Sequence, residues 1–352
     1  MELSSDVVRG IVLTGVLCVA IVLLLIVLGI RRYGIPGNAQ KAALGDDGLP
    51  PQAAVVVHGM KIDDHDARRR QIEVLSGRLG WRTPIWLETT ADDPGRAQAQ
   101  QAVDDGAAAV LAFGGDGTAR IVAEVLARTG VPMGLLPAGT GNLLARNLGI
   151  PPNRLEASLH IALTGRNRPI DVGRVEIGQG KDDDEPREET FLVMAGLGFD
   201  AEVMAGTAPE LKERLGWVAY VVAGVKRLRG RRTSVTLQVD GGRVQQRRIR
   251  AVVVGNCGML QGGIALMPGA VPDDGWLDVV VVAPRSLFGW LQVTGAVITR
   301  RTHPTVEHFQ CRSIEVRAER PLHVQLDGDP AGCAQVLKVH VDPLAVLIRV
   351  PG

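Results

Sequence analysis

Aromatic residues are scarce in this chain of 352 residues: five Phe, five Trp and two Tyr, or 3%. They are not interleaved with basic residues, so there is no platform on which nucleic-acid bases would stack. A charge of one sign is missing as well. Lys and Arg number 39 against 38 Asp and Glu, a net +1, and a chain so balanced carries no global field to attract a polyanion. Nucleic acid is therefore excluded as a partner. The four cysteines, Cys18, Cys257, Cys311 and Cys333, form no Cys-x-x-Cys pair. That spacing argues against a disulfide framework or a cysteine-ligated zinc and points to a reducing compartment.

One long apolar run is present. Ile11 to Ile30 is uncharged, and at about 1.5 Å per residue it covers the ~30 Å hydrocarbon core of a bilayer. Arg31, Arg32 and Lys41 follow it, whereas Glu2, Asp6 and Arg9 precede it, so the positive-inside bias puts the body of the protein on the cytoplasmic side. The expectation is a transmembrane anchor over residues 1–32 and a single-pass protein of the cell membrane. A cleaved signal peptide is the competing reading, but no small-x-small site follows the run. Residues 33–52, rich in Gly, Pro, Ala and Asp, read as a flexible linker.

From Ala53 onward the pattern alternates. Apolar runs at 53–57, 85–88, 108–113 and 132–136 read as strands, and segments at 66–79, 95–104, 118–128 and 141–148 read as helices. Alternation of this kind predicts a three-layer α/β domain over 53–168 with a mostly parallel sheet. From Pro169 short strands dominate, at 170–177, 189–195, 234–239, 247–256, 276–282, 313–318, 322–327 and 336–350. They predict an antiparallel β-sandwich-like domain over 169–352 whose last strand returns to the first domain. The charged run 181–189 reads as a solvated hairpin tip. Residues 210–230 read as an amphipathic helix with a basic edge; with Arg243, Arg247, Arg248 and Arg250 that edge would suit anionic lipid.

Two glycine-rich turns carry the chemistry. Gly114-Gly115-Asp116-Gly117-Thr118 and Pro137-Ala138-Gly139-Thr140-Gly141-Asn142 each follow a strand and lead into a helix. Glycine opens positive φ and lets main-chain N–H groups approach a ligand. Helix N-termini fed by such turns favour phosphate. The pair suggests a cradle for a nucleotide polyphosphate, beyond the carboxyl ends of the strands where such sheets bind ligands. Asp116, the lone acid of the two turns, suggests phosphoryl chemistry.

These turns, with Ala195–Asp200, Gly255-Asn256, Pro268-Gly269-Ala270, Asp273–Asp278 and Asp327-Gly328-Asp329-Pro330, resemble the lipid kinases of the diacylglycerol kinase family. The resemblance runs from Ala53 to the C-terminus. It implies ATP as phosphoryl donor, Mg²⁺ as cofactor and a lipid alcohol as acceptor. Diacylglycerol, a sphingoid base, a polyprenol and a glycolipid all stay open, and a homodimer is among the expected partners. By the same resemblance Gly114, Gly115, Gly117 and Thr118 hold phosphates, and Thr140 bonds the nucleotide beside Gly139 and Asn142. Thr89 or Thr90 lines that site, and Asp116 lies near the metal. Asp329 stands where the family usually has a Glu that serves as base, and its side chain is shorter by about 1.5 Å. Asp274, with the carbonyls of Val271 and Trp276, matches a structural Mg²⁺ position of some relatives; a plain Asp-Gly turn is the alternative.

Two departures stand out. The first strand ends His58-Gly59 where the family often has Asn-Pro, and Ala119-Arg120-Ile121 replaces an Asn-Glu pattern. Arg120 reads as a surface helix residue, with phosphate contact as the alternative. The leading expectation is a membrane-anchored lipid kinase. An NAD kinase and a nucleotide-binding regulator that has lost catalysis are the competing ones.

Overall fold

The computed structural model describes residues 48–59, 64–90, 92–180, 185–198, 232–283 and 306–352, all within one unit of the chain. Its first half is built on β1 (Ala53–Val57), β2 (Ile85–Glu88), β3 (Ala109–Gly114) and β4 (Met133–Pro137). These pair in parallel in the order β4-β3-β1-β2. The helices between and after them are α1 (His65–Arg78), α2 (Arg96–Asp104), α3 (Asp116–Leu126), α4 (Leu143–Asn147) and α5 (Leu155–Thr164).

Every residue of β1 and β3 is buried. A parallel sheet carries helices on both faces, so its strands need apolar side chains in both directions. Ala53, Val55 and Val57 share a core with Ile72 of α1 and Leu159 and Leu163 of α5. Ala54 and Val56 join the opposite core with Ala99 of α2, Val122 of α3 and Leu144 of α4. Helix α5 has no counterpart in the sequence reading. It packs so closely on β4 that a Cβ on Gly134 would lie 2.6 Å from Ala162 Cβ.

The second half contains β5 (Arg166–Gly178), β6 (Arg187–Phe191), β7 (Met194–Leu197), β8 (Thr233–Val239), β9 (Gln245–Ile249), β10 (Ala251–Gly255), β11 (Leu277–Val282), β12 (Val306–Cys311), β13 (Ser313–Leu326) and β14 (Asp329–Val350). Their pairings with one another are antiparallel. Alternate residues of β10, β11 and β13 (Val252, Val254, Val279, Val281, Val316 and Val324) meet in a third core. Val253 and Val280 point the other way and join the core of the α/β half. Strand β14 runs from the sandwich into the first half, where Ile348 bridges Met133 of β4 in parallel.

Some expectations change. The predicted strand at 189–195 is two strands, β6 and β7, with a break at Leu192-Val193, and 247–256 divides into β9 and β10 around Arg250. The predicted strands at 313–318 and 322–327 are one strand, β13, with a register shift between Arg317 and Leu322. The helix expected at 210–230 lies outside the described residues.

The transmembrane helix and the single-pass membrane localisation are corrected. A span needs about 20 consecutive apolar residues, whereas α1, the longest helix among the described residues, has 14 and carries charge throughout. No helix among the described residues is long and apolar enough to cross a membrane. Residues 11–30, where the anchor is expected, lie outside the described residues. Over the described residues the fold is accordingly a three-layer α/β half and an antiparallel β-sandwich, with no helix that could span a membrane.

Candidate functional site

The carboxyl ends of β1 to β4 open on one edge of the sheet. The ladder continues past the strands there: His58 N–H donates to Phe113 O (3.0 Å) and Ala138 N–H to Gly114 O (2.8 Å). Both glycine turns begin at this edge. Gly115 is the N-cap of α3 in extended conformation. The helix geometry leaves the N–H groups of Asp116, Gly117 and Thr118 without a carbonyl of their own helix.

The glycines are needed for close approach and not for positive φ. None of Gly114, Gly115, Gly117, Gly139 or Gly141 has positive φ; the left-handed residue is Asn142, at φ 48°. A Cβ on Gly139 would lie 2.7 Å from Gly115 Cα, and one on Gly141 would lie 2.9 Å from Asp116 Oδ2. The two turns therefore touch, backbone against backbone. Between them lies a small cleft with Gly114, Gly115, Asp116, Pro137, Asn142 and Leu144 among its walls.

Asp116 bridges the turns. Its Oδ1 accepts the Leu144 N–H (3.1 Å) at the start of α4. Burial pushes its carboxyl above the ordinary carboxylate range; the N–H groups of Leu143 and Leu144 draw it down, and the charge of Asp329 pushes it up again. Asn142 closes its own turn: Nδ2 donates to Gly139 O (2.6 Å) and Oδ1 accepts the Gly139 N–H (3.0 Å). Thr118 is buried behind Gly114, and its hydroxyl has no partner among the described residues. Thr140 is exposed, and its carbonyl accepts from Gln261 Nε2 (3.3 Å).

Thr89 and Thr90 sit at the carboxyl end of β2, on the same edge. The Thr89 N–H donates to Val57 O. Thr90 is engaged locally: its hydroxyl accepts the Asp93 N–H (3.0 Å), and the Asp93 carboxylate caps α2 through the N–H groups of Gly95, Arg96 and Ala97. His58 Nδ1, at the end of β1, is buried without a partner among the described residues.

A hairpin from the second half completes the site. Strands β13 and β14 are joined by Asp327 and Gly328, with φ of 51° and 93°, as a two-residue hairpin turn of this kind requires. Asp327 is buried and anchors the turn: Oδ2 accepts the Leu192 N–H (3.0 Å), and Oδ1 accepts those of Val193 (2.8 Å) and Met194 (3.0 Å). Burial pushes its carboxyl up to about 6, against the pull of those three N–H groups and of Arg120. Gly328 N–H donates to Gln325 Oε1 (2.7 Å), and Arg187 donates to Ala331 O (2.6 Å). The tip so fixed carries Asp329 over the first turn of α3, where a Cβ on Gly117 would lie 2.7 Å from its Oδ2.

Arg120 is corrected from a surface residue to a member of this group. Its side chain is 14% exposed, and its two terminal nitrogens lie 3.8 Å from Asp329 Oδ2 and 3.5 Å from Glu189 Oε2. Glu189 and the anchoring role of Asp327 were not legible in advance. Their partners are 69 and more than 130 residues away, and the charged run that ends at Glu189 reads in sequence only as a solvated hairpin tip.

The expected metal position lies elsewhere, on a loop packed against Asp171. Asp274 Oδ1 accepts the Trp276 N–H (2.9 Å), Gly275 N–H donates to Asp171 Oδ2 (2.7 Å), and Arg168 holds Asp273 through two bonds of 2.8 Å. Val271 and Trp276 are exposed. Among the described residues no cluster of three or more His, Cys, Asp or Glu side chains is placed to hold a metal.

Two family models match this chain: the diacylglycerol kinase catalytic domain over residues 71–175, and the YegS C-terminal NAD kinase beta sandwich-like domain over residues 193–350. A "probable lipid kinase YegS-like" of Pseudomonas aeruginosa (strain PAO1) is 33% identical over 312 residues, 85% of this chain and 94% of that protein. A namesake from Pseudomonas putida is 32% identical over 309 residues, 86% and 96% of the two chains. The fold is that of a diacylglycerol kinase crystal structure from Bacillus anthracis str. Sterne, with TM-score 0.65 at 21% identity over 86% of this chain and 97% of that one. These matches define a kinase, a phosphotransferase. The chain belongs to the diacylglycerol kinase family and, within it, to the YegS-like lipid kinases.

Proposed function

We propose that the enzyme transfers the γ-phosphoryl group of ATP to the hydroxyl of a lipid alcohol such as diacylglycerol, with Mg²⁺ as cofactor. The observation that carries this reading is the convergence of Asp329 with the two turns: a carboxylate from the sandwich stands over the first turn of α3. In the step proposed, the lipid hydroxyl gives its proton to Asp329 and its oxygen bonds to the γ-phosphorus. The bond from that phosphorus to the β,γ-bridging oxygen breaks, and ADP leaves. The N–H groups at the start of α3 and the dipole of that helix face the phosphates. Positioning and charge stabilisation of this sort supply most of what phosphoryl transfer requires.

Asp116 fits a hard cation. It offers a carboxylate oxygen, it is buried, and a second carboxylate raises its cost of ionisation, a burden that a cation relieves. Asp116 would hold Mg²⁺, with phosphate oxygens and water completing the shell, and the ion supplies neutralisation of the phosphate charge.

The test uses the full chain with labelled ATP, Mg²⁺ and mixed micelles containing diacylglycerol, a sphingoid base or a polyprenol. Label is expected in an organic-soluble product. Asp116→Asn keeps an acceptor for Leu144 and is expected to fold, yet to lose roughly 10²–10³-fold in turnover. ATP binding with no transfer to any lipid would overturn the reading.

A further inference from the structure

Arg120 is a cation that the sequence reading sends to the surface and the fold turns inward. Its side chain is 14% exposed, and a buried charge costs several kcal/mol unless other charges face it. Asp329 at 3.8 Å and Glu189 at 3.5 Å are those charges, and its field also reaches Asp327 beneath the tip. Glu189 is itself held by Arg187 at 3.2 Å, and Arg187 also holds Ala331 of the hairpin. The guanidinium thus sits between α3, β6 and the hairpin, with its own helix opening one turn earlier at the phosphate-facing N–H groups. At 3.8 Å it attracts Asp329 without hydrogen bonding to it. The carboxylate, 55% exposed, stays open to a substrate while its direction is set.

We propose that Arg120 is a positioning residue for Asp329. It holds the short carboxylate over Gly117. The proposal rests on Asp329 being the proton acceptor in the transfer described above. A carboxylate one methylene short of a glutamate tolerates little drift, because displacement of a reacting group by about 1 Å costs up to roughly 10²-fold in rate.

The experiment is a double-mutant cycle on the full chain with Arg120→Ala, Asp329→Asn and the pair, reading kcat, KM for ATP and binding of a fluorescent ATP analogue. Arg120→Ala is expected to lower kcat by roughly ten- to hundredfold and to leave KM and analogue binding unchanged. In the Asp329→Asn background it is expected to add nothing, since residues acting through one another are not additive. Arg120→Lys, which keeps the charge, should recover part of the loss, and it replaces the alanine variant if the latter does not fold. Unchanged kcat in Arg120→Ala, or a loss that adds fully to that of Asp329→Asn and appears in KM for ATP, would overturn the proposal and leave the base in place. If Asp329→Asn turns over like the wild type, the base assignment itself falls, and this inference with it.

Discussion

Asp327 accepts three main-chain N–H bonds, from Leu192, Val193 and Met194, and Asp171 accepts two, from Gly275 and Leu344. Both are buried in the antiparallel half, and burial pushes both carboxyls upward. Each pins a turn to a distant strand. What differs is the residue that the pinned turn presents. The turn held by Asp327 presents Asp329 to Gly117 and Arg120; the loop held by Asp171 presents Trp276, covered by the guanidinium of Arg312 at 4.8 Å from the ring centre. The same device thus fixes a hairpin tip beside α3 in one place and an exposed loop in the other. A buried carboxylate bound to main-chain N–H groups does not identify a site. What separates the two is position relative to the two glycine turns.

Alanine at each aspartate breaks the comparison most sharply. Each substitution strands buried N–H donors at about 1–3 kcal/mol per group, so both variants should unfold at lower urea concentration. Only Asp327→Ala should also lower kcat in the folded fraction, by tenfold or more on the order expected for a misplaced reacting group. Asp171→Ala should keep kcat within about twofold, since surroundings remote from the reacting atoms act through stability alone. Urea midpoints and kcat for the two proteins decide it. Equal losses of kcat would show that Asp171 also shapes the cradle.

A pH series sharpens the same pair. The carboxyl of Asp327 lies at about 6 when folded and near 3.9 when unfolded. Between these values the folded protein binds more protons than the unfolded one, so unfolding free energy falls as pH rises through the window and is level above it. The amount is on the order of 3 kcal/mol. Asp327→Asn should remove that slope. Asp171 is shifted in the same direction, so its variant should remove a part of the slope as well. Urea unfolding from pH 4 to pH 7 measures both; a stability that rises through this window would contradict the assignment.

The α/β half was largely legible because its information is local. Runs such as Ala53–Val57 and Ala109–Gly114 are apolar without alternation, and a strand buried on both faces has to look that way. The glycine turns were legible for a reason that needs amending: their glycines permit backbone contact between turns, and the positive φ falls on Asn142. Helix α5 was missed although Leu155, Leu159 and Leu163 repeat at helical spacing, because its N-cap Arg154 makes no side-chain capping bond and no start signal marks it. The motifs named Asp116 and Asp329 as candidates, and the fold brings these two carboxylates near one another. The arrangement was hidden where pairing between distant segments decides, as for Arg120 with Glu189 and for Asp327 with Leu192. Neither spacing nor composition states which segments will meet.

The smallest expected effect concerns Asp274. In the loop pinned by Asp171, Asp274 closes its own turn on the Trp276 N–H, and the neighbouring Asp273 is satisfied by Arg168, whose paired hydrogen bonds hold the Asp273 carboxyl below the ordinary range. If these bonds alone hold the loop, Asp274→Asn keeps the acceptor that Trp276 needs. It should then cost no more than about 0.5 kcal/mol, as for substitutions away from special features. The rise of melting temperature with added Mg²⁺ should match that of the wild type. A Mg²⁺ ligand at Asp274 makes the opposite forecast: the variant would lose a share of that rise while Asp116→Asn retained it. Melting curves of the three proteins across a Mg²⁺ titration separate the two, because binding to the folded state alone raises stability in proportion to the logarithm of free cation above its dissociation constant. A share of the rise lost with Asp274 would make the loop a second cation site, and the contrast between the two buried aspartates would become one between two kinds of ligand support.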